Sequence, residues 1–231
     1  MTIHIEVLKD LDLLYAKGLA IIEAKLEQGA TTFGLATGGT MLPLYEKIRA
    51  SSIDFSSCVS FNLDEYVGLP ATHSESYRTF MRMNLFDAKP FAKSELPDGL
   101  AADVEAEAIA YEEKLQNAHL NFQLLGIGEN GHIGFNEPGT PFDSTTHVVE
   151  LTQSTRQANA RFFNSIDEVP THAITMGISS ILRADTILLI AVGEKKRRPL
   201  EALLKGDQTT EVPVTALQDH KNIIILTDLD I

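Results

Sequence analysis

GIGENGHIGFNEPG, residues 126–139, decides how the chain is read. Gly126, Gly128 and Gly131 carry the spacing of a dinucleotide-binding turn. The apolar Phe122, Leu124 and Leu125 precede them as a strand should, and Glu150 lies near where a ribose-binding acid is expected. That motif works only where a helix begins at its third glycine. Here His132-Ile133-Gly134-Phe135-Asn136-Glu137-Pro138 follows, with Pro141 close behind, and two prolines and a glycine stop a regular helix. Without the helix there is no stack of free amides to hold a pyrophosphate. What remains is a glycine-rich turn after a buried strand, presenting Asn130, His132 and Glu137 on irregular backbone.

Outward from that turn, the pattern alternates. Leu11, Tyr15, Leu19, Ile22 and Leu26 recur at helical spacing through residues 9–28, and Gly29 closes that helix. A strand is expected at 31–36, a helix near 41–50 with Pro43 in its first turn, and a second strand through 59–63 that ends on Asp64 and Glu65. Helices follow near 76–87 and 102–117, then the strand at 121–126. Beyond the glycine-rich loop come a short strand at 147–151, a helix over 153–163, strands at 172–176 and 186–192, a helix at 195–205 and a last strand at 222–227. Short apolar strands alternating with helices predict a single α/β domain over residues 1–231, with an open, mostly parallel central sheet covered on both faces in the Rossmann manner. Ligands bind such sheets at the strands' carboxyl ends, which here means the loops at 37–40, 64–67, 127–139 and 193–197.

Composition narrows the partners. A chain of 231 residues with 44% hydrophobic and 22% charged residues buries a core large enough for a deep pocket. A net charge of −13 argues against nucleic acid and acidic membranes, yet the local cluster Lys195-Lys196-Arg197-Arg198 can still dominate a pocket, because salt screens distant charges. The start MTIHIEVLKDLDLLYAKG lacks a secretory pattern and no later run spans a membrane, so a cytoplasmic protein is expected. The single cysteine, Cys58, sits in an apolar strand pattern and reads as a buried structural thiol.

Four groups could carry chemistry. In ATGGT, Gly38 and Gly39 can turn backbone amides outward and Thr40 can cap the next helix, which suits a phosphate; an ordinary strand–helix turn explains the motif equally well, and no lysine stands where a Walker loop needs one. Asp64 and Glu65 are adjacent on extended backbone, so only one can face a cleft; that one is either a general base in a dry pocket or a solvated turn acid. His132 with Asn130 and Glu137 can move protons, the carboxylate fixing the ring tautomer, or it can be a histidine satisfied by a loop carbonyl. The basic residues at 195–198, with Arg156 and Arg161 on another helix, are either a solvated face or the partners of an anion. His4, His73, His119, His147, His172 and His220 show no metal-ligand spacing, so acid–base chemistry without metal or cofactor is expected.

Together GLATGGTMLPLYEKI, FNLDEYVGL, HSESYRTFM, GIGENGHIGFNEPG, STRQANARFF and VGEKKR resemble the glucosamine-6-phosphate deaminase family, in that family's order and over nearly the whole chain. The resemblance implies the fold shared by sugar-phosphate isomerases and lactonases. It also implies a deaminase and isomerase acting on the carbon–nitrogen bond of glucosamine 6-phosphate to give fructose 6-phosphate and ammonia, in amino-sugar catabolism. It implies that His132 opens the sugar ring, with Asn130 and Glu137 tuning it, and that Asp64 moves the proton from C2 to C1. Gly38, Gly39, Thr40, Arg161 and Lys196 would bind the phosphate, with Thr37 a weaker candidate. Many members carry Asp where this chain has Asn130. Longer members are allosteric hexamers with basic residues after the EPG turn, where this chain reads Thr145-Thr146-His147, so a monomer without allosteric control is expected, a homo-oligomer being the alternative. The rival readings are a 6-phosphogluconolactonase-like hydrolase and a sugar-phosphate-binding regulatory module without catalysis.

Overall fold

A computed structural model describes residues 3–231. In chain order its elements are β1 (Ile3–Val7), α1 (Leu11–Glu27), β2 (Thr32–Leu35), α2 (Leu42–Ala50), β3 (Val59–Asn62), β4 (Asp64–Tyr66), α3 (Tyr77–Met81), β5 (Lys93–Glu95), α4 (Val104–Asn117), β6 (Phe122–Leu125), β7 (His147–Glu150), α5 (Gln153–Asn159), β8 (His172–Thr175), α6 (Ile178–Ile181), β9 (Thr186–Ala191), α7 (Arg197–Lys205) and β10 (Ile223–Thr227). Local chemistry sets the boundaries. Asp10 caps α1 by accepting from the amides of Asp12 and Leu13, Asp103 caps α4 through Ala106, and Thr152 caps α5 through Thr155.

Seven strands form one sheet in the order β1-β10-β9-β6-β2-β3-β5, and every pairing in it is parallel. Its central strands are buried along their whole length, as a sheet covered on both faces requires: TILLIA in β9, FQLL in β6 and TFGL in β2. From β2 the chain builds outward through β3 to β5, then returns to the other side of β2 as β6. The order therefore reverses between β2 and β6, and their carboxyl ends, residues 36–40 and 126–139, flank one crevice. Gly34 of β2 lies under the amide of Gln123 on β6, so close that a Cβ there would fall 1.9 Å from Gln123 Oε1.

Three strands depart from the sequence expectation of one sheet. β4, β8 and β7 form a separate antiparallel sheet in the order β4-β8-β7. Asp64 and Glu65 thus open a new strand rather than close the previous one, because after Asn62 the backbone leaves its partners β2 and β5 and pairs with β8, Asp64 opposite Thr175. β1, β5, α6 and the turn of 3-10 helix at Pro213–Asp219 were not anticipated. Cys58 is buried, and burial pushes its thiol up. Among the described residues no helix is long and apolar enough to cross a membrane.

Candidate active site

A cleft of about 440 Å³ opens at the switch between β2 and β6. Its walls come from five places: Thr37, Gly38 and Thr40 after β2; Asp64 and Tyr77 from β4 and α3; the loop after β6 with Asn130, His132, Gly134 and Phe135; Thr155, Asn159 and Arg161 from α5 and the turn that follows it; and Lys196 from the turn between β9 and α7. Asp64 and His132 therefore face the same space as the basic Arg161 and Lys196. Gly39 is exposed at the start of the 3-10 turn Gly39–Met41 and lies outside the wall, unlike its neighbours. Glu137 also lies outside it, buried behind the histidine.

The glycines of the opening motif are explained by the loop they build. The loop closes on itself through Gly128 N–H to the His132 carbonyl (2.8 Å) and Gly131 N–H to the Gly128 carbonyl (3.0 Å), and no helix follows. Gly128 lies flat beneath the imidazole: a Cβ there would sit 2.4 Å from the His132 ring. Gly131 adopts φ +88°, in the left-handed region where side chains are strained. The spacing is that of a cradle for a histidine.

Asp64 is 6% exposed and its carboxyl is pushed up to about 8, by burial first and by the charge of Glu65 second. No hydrogen bond offsets these. Adjacent residues on a strand point to opposite faces, and Glu65 accordingly turns away from the cleft: its carboxylate accepts the backbone N–H groups of Tyr66, Tyr77 and Arg78, each at 2.9 Å. An acid poised near neutral pH can take a proton from carbon and give it back.

Behind His132, Glu137 accepts from Asn130 Nδ2 (2.6 Å) and from the Thr155 hydroxyl, while Asn130 Oδ1 accepts from the His132 backbone N–H (3.1 Å). Asn130 therefore meets the histidine through Glu137 and through the His132 backbone. Its amide reaches the carboxylate and the backbone, and the ring's Nδ1 stands 3.6 Å from Glu137 Oε2. Burial raises Glu137, but the neighbouring His132, Thr155 and Asn130 together bring its pKa below the usual value, so it stands ready as an anion. Thr155 gave no sequence signal as a partner of Glu137, since the two lie 18 residues apart on different elements.

At the other end, burial lowers the Lys196 pKa. Glu129 opposes that lowering, and the positive charges of Lys195 and Arg161 add to it. Lys195 itself pairs with Glu129 at 3.0 Å, and the Arg161 guanidinium stacks 4.7 Å over Phe162. Crowded cations beside the φ +97° turn at Gly38 make an end of the cleft that an anion would relieve. Arg156 is not part of it; its guanidinium donates to the carbonyls of Ile166 (3.0 Å) and Val169 (3.1 Å).

The family model of glucosamine-6-phosphate isomerases and 6-phosphogluconolactonases matches residues 13–225. A glucosamine-6-phosphate deaminase of Lysinibacillus sphaericus is 64% identical over 206 residues, 89% of this chain and 93% of the relative. Another, of Latilactobacillus sakei, is 52% identical over 212 residues, 92% of this chain and 90% of its own length. Among solved structures, a monomeric glucosamine-6-phosphate deaminase superposes with a TM-score of 0.93 at 38% identity, covering 98% of this chain and 97% of the other. A 6-phosphogluconolactonase from Thermotoga maritima shares the fold at 18% identity, with a TM-score of 0.78 over 98% of this chain and 99% of that one.

Proposed function

The chain belongs to the family of glucosamine-6-phosphate isomerases and 6-phosphogluconolactonases, and from that premise we propose that it is a glucosamine-6-phosphate deaminase acting through Asp64 and His132. The observation that carries the assignment of roles is a buried, donor-free carboxyl sharing one cleft with a histidine and, at the far end, with Lys196 and Arg161.

The phosphate of glucosamine 6-phosphate binds at Gly38 and Thr40 together with Lys196 and Arg161, which places the sugar carbons along the cleft. His132 takes the proton of the C1 hydroxyl and delivers one to the ring oxygen, opening the ring; Glu137 steadies the cationic imidazole. Asp64 then removes the C2 proton while O1 takes a proton from the C2 ammonium, giving the enolamine. Asp64 returns its proton to C1, and water adds to the resulting C2 iminium and expels ammonia, leaving fructose 6-phosphate. Water is consumed at the carbon–nitrogen bond, but the step that commits the substrate is aldose–ketose isomerisation. The phosphate contacts act by holding C2 against Asp64, since binding energy at a remote group is what positions the reacting carbon.

The assignment extends to a monomeric cytoplasmic enzyme, supported by its likeness to a monomeric deaminase across 98% of the chain. The test is ammonia release from glucosamine 6-phosphate beside hydrolysis of 6-phosphogluconolactone. Ammonia release without lactone hydrolysis is expected; the reverse pattern overturns the assignment.

A further inference from the structure

Glu65 is a buried acid for which the mechanism has no use. It is 4% exposed, follows the base directly, and points the other way. Its two oxygens collect three backbone N–H groups, from Tyr66 on its own strand and from Tyr77 and Arg78 in the first turn of α3. Three donors and no acceptor suit a carboxylate and leave a protonated carboxyl without a partner for its hydrogen. The strand that carries Asp64 is thereby tied to the helix that carries Tyr77, and both residues stand on the cleft wall. Ser76 completes the joint by accepting from Thr79 N–H and donating to the carbonyls of Ala71 and His73.

We propose that Glu65 is a positioning residue for proton abstraction at C2, fixing the base and the Tyr77 wall in register while holding a buried negative charge beside Asp64. The inference rests on the deaminase assignment. Few groups compensate that charge. Arg78 is exposed, β8 offers only Ile174 and Thr175 opposite, and Tyr66, Tyr77 and Tyr111 face the pair as neutral phenols; His132 and Glu137 stand on the neighbouring loop. Burial raises the Glu65 carboxyl above its usual value, the three N–H groups and Arg78 drawing it only part of the way back, and its charge in turn adds to the rise at Asp64. Without that charge Asp64 would ionise at lower pH and be a weaker base.

The experiment measures kcat and KM for ammonia release from glucosamine 6-phosphate across pH in wild type, Glu65→Gln and Glu65→Asp, with a melting curve for each. In Glu65→Gln the amide sets a donor against the Arg78 N–H and removes the charge. The expected result is kcat down by about tenfold or more, KM within about threefold because the phosphate end is untouched, and the acidic limb of kcat/KM moved down by about half a pH unit or more. Glu65→Asp keeps the charge but withdraws it by one methylene; kcat should fall with the limb at the wild-type pH. A Glu65→Gln enzyme with wild-type kcat and an unmoved limb overturns the inference, as does a loss confined to KM. Should Glu65→Gln not fold, Glu65→Asp decides: lowered kcat with an unmoved limb supports the inference and unchanged kcat overturns it. An inactive wild type removes the deaminase assignment itself, and this inference with it, whereas an active wild type beside an unaffected Glu65→Gln removes this inference alone.

Discussion

Asp64 and Glu112 are equally closed to solvent, each 6% exposed, Asp64 the deeper of the two, and they differ widely in acidity. Asp64, facing the cleft, is pushed up to about 8; Glu112, on α4, is lowered to about 2. Burial is the largest single influence on both and acts upward on both. The difference lies in the donors. Glu112 accepts from the Thr146 hydroxyl (2.7 Å) and N–H (3.1 Å), the Ser180 hydroxyl (2.7 Å), Arg183 Nη2 (2.6 Å) and Gln116 Nε2 (3.3 Å). Asp64 has only a like charge beside it. Surrounded by donors, a buried carboxylate becomes a joint, here between α4, the approach to β7 and α6; denied them, it keeps its proton up to about pH 8.

Their contributions to stability run in opposite directions with pH. A raised acid holds a proton in the folded chain that the unfolded chain has released, so Asp64 lowers stability progressively as pH rises from about 4 to about 8 and costs the full amount above that. A depressed acid is stabilising once the unfolded group has ionised, so Glu112 contributes fully above about 4.5 and loses that contribution as pH falls towards 2. The largest expected effect follows from the first. Asp64→Asn should lose about 10²- to 10⁴-fold in ammonia release and fail to exchange the C2 hydrogen with solvent. Its melting temperature should exceed that of wild type by a margin that grows between pH 4 and 8, about 2–4 °C for each kcal/mol recovered. A margin that does not change with pH would show that Asp64 is not held protonated.

Next in size is Gly128→Ala, which probes the cleft without touching either carboxylate. The new methyl would meet the imidazole at 2.4 Å, so the ring must move off its seat. A catalytic group displaced by about 1 Å costs on the order of 10²-fold in kcat, and KM should hold because the phosphate end is remote. Retention of kcat would mean that the ring's position over Gly128 has no bearing on turnover.

Glu112→Gln should reverse the pattern: activity kept within about twofold, stability lost. Buried hydroxyls of Thr146 and Ser180 lose their anion and the half-exposed Arg183 loses its partner, at a cost of about 2–3 kcal/mol, or roughly 4–12 °C in melting temperature. Thermal melts at pH 7 and pH 3 check it, since the deficit should shrink as the wild-type carboxyl protonates. A loss of kcat larger than the loss of stability would join the two regions that the comparison separates.

The cleft was more legible in the sequence than the joint, for a physical reason. Gly38, Thr40, Asp64, Asn130, His132, Arg161 and Lys196 all line the cleft; Gly38, Thr40, Asn130, His132 and Lys196 were legible because they sit in or beside turns whose glycines and prolines interrupt an apolar pattern, and such interruptions show in one dimension. Gly39 carried the same signal and lies outside. Glu112 gave no such sign: it lies within an amphipathic helix, and apart from Gln116 its partners stand 34 to 71 residues further along the chain. The antiparallel sheet was hidden likewise. Asp64–Tyr66 is three residues long and polar at its start, so only its pairing with β8, more than a hundred residues later, makes it a strand. Thr155 was missed as a wall residue because its role depends on how α5 packs, not on local spacing.

The finest test removes a single donor. Thr146→Val keeps the shape of a buried side chain and the backbone N–H to Glu112 while deleting the hydroxyl at 2.7 Å. One charge-assisted hydrogen bond is worth about 1.5–3 kcal/mol, and the deleted hydroxyl leaves no unpaired donor of its own, so the low end, about 1.5 kcal/mol, is expected. Because that bond favours the ionised form, its loss should also move the acid-unfolding midpoint of the protein upward in pH, and at pH 2, where the carboxyl is protonating in both proteins, the two melting curves should converge. Turnover should be untouched. If Thr146→Val were as damaging as Glu112→Gln, one hydroxyl rather than the full set of donors would be holding the carboxylate ionised, and the contrast with Asp64 would come down to a single hydrogen bond.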